Sequence, residues 1–200
     1  MNPYTLTLLR HGDIDHDGRL VGRLDLALNE RGRRQLAASW QRINALAPVT
    51  SIASSPLKRC REFAVQQALT GGVPLKLDER LAECDFGTWD GMALAELAAC
   101  HPDWSQRLAE GSLDAPGGED FDTFRTRVLA GFAGWMSEAR GSHRVLVSHG
   151  GVITVLLAEL LGTGFNVARL LTIQRGGFAQ LTILDGHPAY LLRLEPPCAD

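Results

Sequence analysis

The sequence predicts an α/β protein, a three-layer sandwich with a mixed, mostly parallel sheet and helices on both faces. Three observations carry this. Short apolar runs of strand length alternate with segments of helical period. Two of those runs end in a histidine followed by glycine, Leu8-Leu9-Arg10-His11-Gly12 and Val147-Ser148-His149-Gly150-Gly151. The chain then closes on strand-turn-strand runs with Gly-rich turns, which call for an antiparallel edge. With 200 residues, 45% hydrophobic and 22% charged, the chain is expected to form one domain over residues 1–200 with a large core.

The elements follow in order. Leu6 to Leu9 reads as a buried strand. Asn29-Glu30-Arg31-Gly32 precedes a helix through about Leu46, with apolar positions at Leu36, Trp40 and Ile43. Thr50 to Ser54 reads as a second strand, followed by Pro56 and a helix from Leu57 to Leu69. Leu75 to Leu77 reads as a short strand. Residues 84–122 are less regular and richer in acids, and are expected to form a lid-like insertion. A long helix is expected from about Glu119 to Ala139, then a strand at Arg144 to Ser148 and a helix at Val152 to Leu161. Arg169 to Gln174, Phe178 to Leu184 and Ala189 to Leu194 read as closing strands.

Composition excludes several classes. A net charge of −3 and a pI near 6.1 leave no nucleic-acid surface and no polybasic membrane patch. The longest apolar region, Val145 to Leu161, is cut by Ser148-His149-Gly150, short of a membrane span. The opening MNPYTLTLLRHGD lacks the basic region of a signal peptide, so a cytoplasmic location is expected. Cys60, Cys84, Cys100 and Cys198 match no zinc spacing and read as scattered reduced thiols.

The chemistry concentrates at strand ends, where open α/β sheets bind ligands. His11 and His149 both stand there, each followed by glycine that lets a ligand approach backbone. The amides at the start of the helix after His149 suit an anion. A third strand end supplies Ser54-Ser55-Pro56-Leu57-Lys58-Arg59, with Arg59 in the first turn of a helix. A cation there opposes the helix dipole, and an anionic ligand would account for it. Leu81-Ala82-Glu83-Cys84-Asp85-Phe86-Gly87 adds a carboxylate, Glu83, suited to general acid work. His16, His101, His143 and His187 read as surface or loop residues. Trp89, Trp104 and Phe121 read as packing, and the acids from Asp103 to Asp122 as a solvated face.

In this order, LLRHG, the segment G-R-L-D-x-x-L-x-x-x-G from Gly22 to Gly32, SSPLKR, LAECDFGTWDG, PGGE (Pro116 to Glu119) and VLVSHGGV resemble the histidine phosphatase superfamily, the phosphoglycerate-mutase-like proteins. The likeness runs from about residue 6 to 184. The short loop after R-H-G and the PGGE segment are most similar to the α-ribazole phosphatase branch of cobalamin biosynthesis. The resemblance implies a phosphate monoester as the small-molecule partner, with α-ribazole 5'-phosphate as the substrate it suggests. It implies His11 as phosphate acceptor, and Arg10, Arg59, His149 and Gly150 around the phosphoryl group. It makes Glu83 the proton donor to the leaving oxygen. No metal and no cofactor are expected, neither nucleic acid nor membrane is a partner, and a homodimer is admitted. Asp13 stands where mutases carry Glu, and Asp15-His16-Asp17-Gly18 where they show Trp-Asn. No Asn ligand is therefore assigned, and hydrolysis is favoured over mutase-type transfer.

Rival readings are weaker. An esterase elbow needs glycine where Leu146 stands. A metallophosphatase would use His11, Asp13, Asp15 and His16 as ligands. A non-catalytic phosphate-binding regulator would have no need of the full set of reactive side chains.

Overall fold

The computed structural model describes residues 3–112 and 114–197. In chain order, β1 (Tyr4–Arg10) leads to α1 (Glu30–Leu46), β2 (Ser51–Ser54), α2 (Lys58–Gly71) and β3 (Leu75–Leu77). Next come α3 (Leu94–Cys100), α4 (Trp104–Glu110), α5 (Phe121–Glu138), β4 (His143–Ser148) and α6 (Gly150–Leu160). The chain closes with α7 (Phe165–Ala168), β5 (Phe178–Ile183) and β6 (Tyr190–Glu195). Single 3-10 turns occur at Glu79–Leu81 and Gly87–Trp89.

The strands form one six-stranded sheet in the order β3-β2-β4-β1-β5-β6. β3, β2, β4 and β1 run parallel, while β5 is antiparallel to both β1 and β6. The mixed sheet and its antiparallel edge are as the sequence predicts. Alternation along the central strands builds the two faces. Leu6 and Leu8 of β1 and Leu146 of β4 pack with Phe124, Val128 and Trp135 of α5 and with the apolar side of α6. Leu9, Val145 and Val147 point the other way, onto Leu36 and Ile43 of α1 and Phe63 and Ala64 of α2. A smaller core of Leu20, Phe86, Trp89, Leu97 and Ala115 supports the 84–122 segment.

Helix starts show why these segments fold where they do. Asn29 caps α1 by accepting the Gly32 amide at 2.8 Å, and Asp120 caps α5 through Thr123 at 2.7 Å. Leu57 cannot cap α2. Asp25, on the loop after β1, supplies the missing acceptor to the Lys58 amide at 2.6 Å. Its carboxylate also opposes the unfavourable placement of Lys58 and Arg59 at that helix start.

Three expectations need correction. Arg169–Gln174 is not a strand: it follows α7 as turn and coil, and the Ile173 carbonyl is taken by the Arg10 side chain rather than a sheet partner. Residues 84–122 hold α3, α4 and a 3-10 turn, so the segment is more regular than its composition suggests. His143 is fully buried, with Nε2 2.9 Å from Thr7 Oγ1 and Nδ1 2.9 Å from the Ala47 carbonyl. A strand position flanked by fixed polar partners satisfies both ring nitrogens away from water. Cys60, Cys84 and Cys100 are free thiols, while Cys198 lies outside the described residues.

The loop after β1 lies directly on the first turn of α1. A Cβ added at Gly12 would stand 2.2 Å from the Gly32 carbonyl oxygen, and one at Gly32 would stand 2.1 Å from that of Asp13. Backbone cannot yield as a flexible side chain does, so Gly32→Ala is expected to cost about 1–3 kcal/mol or more. Urea denaturation followed by far-UV circular dichroism measures this.

Candidate active site

Three parallel strands deliver the site at their carboxyl ends: β1 ends at Arg10, β2 at Ser54 and β4 at Ser148. The next residues form a compact cluster. The His11 amide donates to the Ser148 carbonyl at 2.9 Å, which ties the end of β1 to that of β4. His11 is 5% exposed and His149 fully buried. Their ring centroids are 5.3 Å apart.

Hydrogen bonding fixes the state of each ring. His11 Nδ1 lies 2.7 Å from the Gly12 carbonyl oxygen, which can only accept. The proton therefore sits on Nδ1, and Nε2 of the neutral ring carries the lone pair. Arg59 Nε donates to His149 Nδ1 at 3.2 Å, so that nitrogen is unprotonated. His149 Nε2 then carries the proton toward Ser55 Oγ, 2.7 Å away.

The arginines are held without adjacent carboxylates. Arg59, 1% exposed, also donates to the carbonyls of Leu24 and Gly22, both at 2.7 Å. Arg10 donates from Nη1 to the Ile173 carbonyl at 2.8 Å, and its buried Nε has no hydrogen-bond partner. Its guanidinium lies over Gly150, where an added Cβ would come within 3.2 Å of the guanidinium carbon. Gly150 thus leaves room for Arg10 beside the start of α6. Glu83 follows the Glu79–Leu81 turn and accepts the Gly151 amide at 3.2 Å and the Cys84 amide at 3.1 Å. Its carboxylate therefore sits at the amino end of α6.

The electrostatics follow from burial and charge. Burial lowers the His11 pKa well below 6.5, and Arg59 and then Arg10 and Arg175 add to this against the Gly12 hydrogen bond. Burial likewise lowers His149, with Arg59 next and His11, Arg10 and Arg23 behind. Arg10 is lowered by burial, with Glu83 opposing and Arg175 and Arg59 reinforcing. Cys60 touches the His149 ring, with its sulfur 3.7 Å from Nε2, but burial pushes its thiol up to about 12. That thiol is not a nucleophile.

Arg10, His11, Arg59, His149, Gly150 and Glu83 are thus brought together. The rival metal set is not: Asp13 pairs with Arg175 at 3.1 Å, and Asp15 accepts from Asn29 at 2.9 Å. Among the described residues, no three His, Cys, Asp or Glu side chains gather as a metal site.

Sequence reasoning missed a set of supporting residues. Arg127 on α5 donates to the carbonyls of Arg80, Ala82 and Glu83 at 2.8–2.9 Å. It also forms a two-pronged pair with Glu119, which in turn accepts the Asp85 amide at 2.8 Å. Glu119 is therefore a half-buried structural acid and not part of a solvated face. Asp90 accepts the amides of Gly22, Arg23 and Leu24 at 2.7–2.8 Å. The same loop presents the two carbonyls that hold Arg59. Arg175 joins the site from just before β5. The L-A-E-C-D-F-G-T-W-D-G and P-G-G-E strings contain Asp90 and Glu119, but only the fold pairs them with their partners. Arg127 and Arg175 carry no local signal.

Residues 6–194 match the histidine phosphatase superfamily (branch 1). A bifunctional protein of Mycobacterium tuberculosis is 35% identical over 168 residues, covering 82% of this chain and 46% of that protein. The chain thus spans about half the length of that relative. Glucosyl-3-phosphoglycerate phosphatase of the same organism is 33% identical over 198 residues, 94% of this chain and 87% of that one. The native structure of the mycobacterial glucosyl-3-phosphoglycerate phosphatase aligns with a TM-score of 0.85 at 27% identity, over 98% of this chain and all of that one. The α-ribazole phosphatase of Shigella flexneri aligns with a TM-score of 0.82 at 22% identity, over 98% and 99%. That last likeness concerns the fold alone.

Two predictions follow from the geometry. In the unfolded chain, His11 and His149 take a proton near pH 6.5, whereas the folded rings hold out to lower pH. The unfolded state binds more protons in that window, so stability falls as pH drops below about 6.5. The slope is at most about 1.4 kcal/mol per ring per pH unit. Urea midpoints at pH 7.5 and 5.5 check the sign. Asp90→Ala is expected to slacken the Gly22–Leu24 loop and so release Arg59. The expected result is a drop of roughly 10-fold in kcat/KM on a phosphate ester, partly restored in Asp90→Asn, with Arg59→Ala epistatic to both.

Proposed function

The chain belongs to the histidine phosphatase superfamily, and from that premise we propose that it is a phosphomonoesterase working through a phosphorylated His11. The observation that carries this reading is the Nδ1 contact to the Gly12 carbonyl. It leaves Nε2 as an unprotonated nucleophile in the field of the buried Arg59 and the half-buried Arg10 guanidiniums.

A phosphate monoester dianion repels any nucleophile, and Arg10 and Arg59 offset that repulsion. At ~4 Å and an effective dielectric of ~20, each charge pair amounts to roughly 4 kcal/mol before desolvation is subtracted. His11 Nε2 attacks phosphorus, the P–N bond forms, and the P–O bond to the alcohol breaks. The leaving oxygen takes a proton from Glu83. Water then attacks the phosphohistidine and gives its proton to Glu83, releasing inorganic phosphate and the free imidazole. The N-terminal amides of α6 beside Gly150, with the two arginines, receive charge as it spreads over the equatorial oxygens. For His149 to serve as a phosphate ligand, its Nε2–H must leave Ser55 for a phosphoryl oxygen. In the same reading residues 84–122 are a lid over this single domain. For the leaving group, the sequence resemblance raises α-ribazole 5'-phosphate. The 33% identical relative raises glucosyl-3-phosphoglycerate.

His11→Ala is expected to lower kcat/KM by roughly 10⁴-fold or more. Rapid-quench trapping of the unsubstituted enzyme should yield acid-labile, base-stable phosphate on His11, and its absence during turnover would defeat the reading. Glu83→Gln should lose roughly 10²–10⁴-fold on alkyl phosphates and far less on p-nitrophenyl phosphate, whose leaving group needs no proton.

A further inference from the structure

A cavity of about 490 Å³ opens on Arg10, Glu83 and Gly150. It is therefore continuous with the phosphate pocket and of a size that holds a drug-sized organic group. Its lining is mostly apolar, with Arg19, Arg169, Arg175 and His16 also reaching it. Trp104 and Leu108 enter from α4, Phe121 and Phe124 from the start of α5, and Phe165 from α7. Phe121 and Phe165 meet edge to face, with ring centroids 4.6 Å apart.

α4 is informative because it buries no residue completely. A helix on a protein surface ordinarily turns its apolar stripe into the core. Here Trp104 and Leu108, one turn apart on the same face, line the cavity beside Ala109. Ser105 and Thr154 are the uncharged alcohols among the lining residues. Glu119, also at the wall, is already committed to Arg127. Hydroxyls of a polyol laid against the aromatic wall of α4, α5 and α7 would face carbon, stripped of water.

We infer that the alcohol released from the phosphate ester carries a large apolar, ring-bearing body that fills the space between α4, α5 and α7. This rests on the roles given above to His11 and Glu83. It favours an aromatic or otherwise apolar leaving group over a glyceryl or glucosyl one.

The test compares esters of primary alcohols, so that leaving-group basicity is closely matched. The purified full chain is assayed on 2-(2-naphthyl)ethyl phosphate, glycerol 1-phosphate and glucose 6-phosphate. In parallel, His11 is labelled with phosphoramidate, a donor too small to use the cavity. The expected result is a kcat/KM for the naphthylethyl ester at least about 10-fold above both polyol esters, the scale on which apolar pockets discriminate. Leu108→Gln should narrow that ratio, a readout that does not depend on the fraction of folded enzyme. Labelled His11 with the polyol esters equal or preferred overturns the inference and leaves the phosphatase reading standing. No labelling of His11 and no turnover of any ester overturns both.

Discussion

Positive charge is held here by hydrogen bonds to carbonyls and a ring nitrogen instead of by an ion-paired carboxylate, and the surrounding architecture follows from that constraint. Arg59 is almost wholly enclosed, and its hydrogen bonds run to two carbonyls and an imidazole instead of a carboxylate. Arg10 keeps a buried nitrogen with no partner at all. Desolvating a guanidinium is costly unless its donors are satisfied. Carbonyl oxygens satisfy them without cancelling the charge, so the field stays directed at whatever anion enters. The two histidines must then remain neutral, which is what burial beside cations enforces.

The carbonyls doing this are not part of any regular element, so they need holding in turn. Asp90 gathers three successive amides of the loop whose carbonyls face Arg59. Arg127 does the converse for Glu83, gripping from α5 its own carbonyl and those of Arg80 and Ala82 before it. Glu119 then binds Arg127 to the Asp85 amide. Ion pairs and backbone thus form one connected frame around an otherwise irregular stretch. A glutamate on a loose loop could not stay at the amino end of α6, and it is this frame that keeps it there.

Much of this was legible in the sequence, and the boundary is physical. The strands and long helices announce themselves because each has a period that matches its burial, as with Leu6 and Leu8 against Leu9. Arg10, His11, Arg59, His149 and Glu83 were legible because each stands at the end of an element in a recognisable string. Arg169–Gln174 misled because alternation reports apolar spacing, and says nothing of whether a sheet edge is free to pair. β5 already occupies the edge of β1. His143 misled because its two partners come from 47 and from 7, far away in the chain. Arg127, Arg175 and the roles of Asp90 and Glu119 depend wholly on such long-range pairings, which no local pattern encodes.

The two halves of the site also differ in what fixes them. The groups around the phosphate hang from the ends of β1, β2 and β4, whose interior residues are the core itself, so they cannot move without disturbing both sheet faces. The walls of the large cavity come from α4, the start of α5 and α7. α4 contributes no fully buried residue, and its Trp104 and Leu108 pack only against the small core beside the 84–122 segment. In the proposed reading, a substitution at Trp104 or Leu108 acts on the alcohol and on the small core of Leu20, Phe86 and Trp89, whereas one at Leu8 or Val147 acts on the phosphate-binding geometry through the sheet. Chemistry is thereby constrained by folding and leaving-group choice is largely released from it, which makes the cavity wall the place to look for what distinguishes this chain from its relatives.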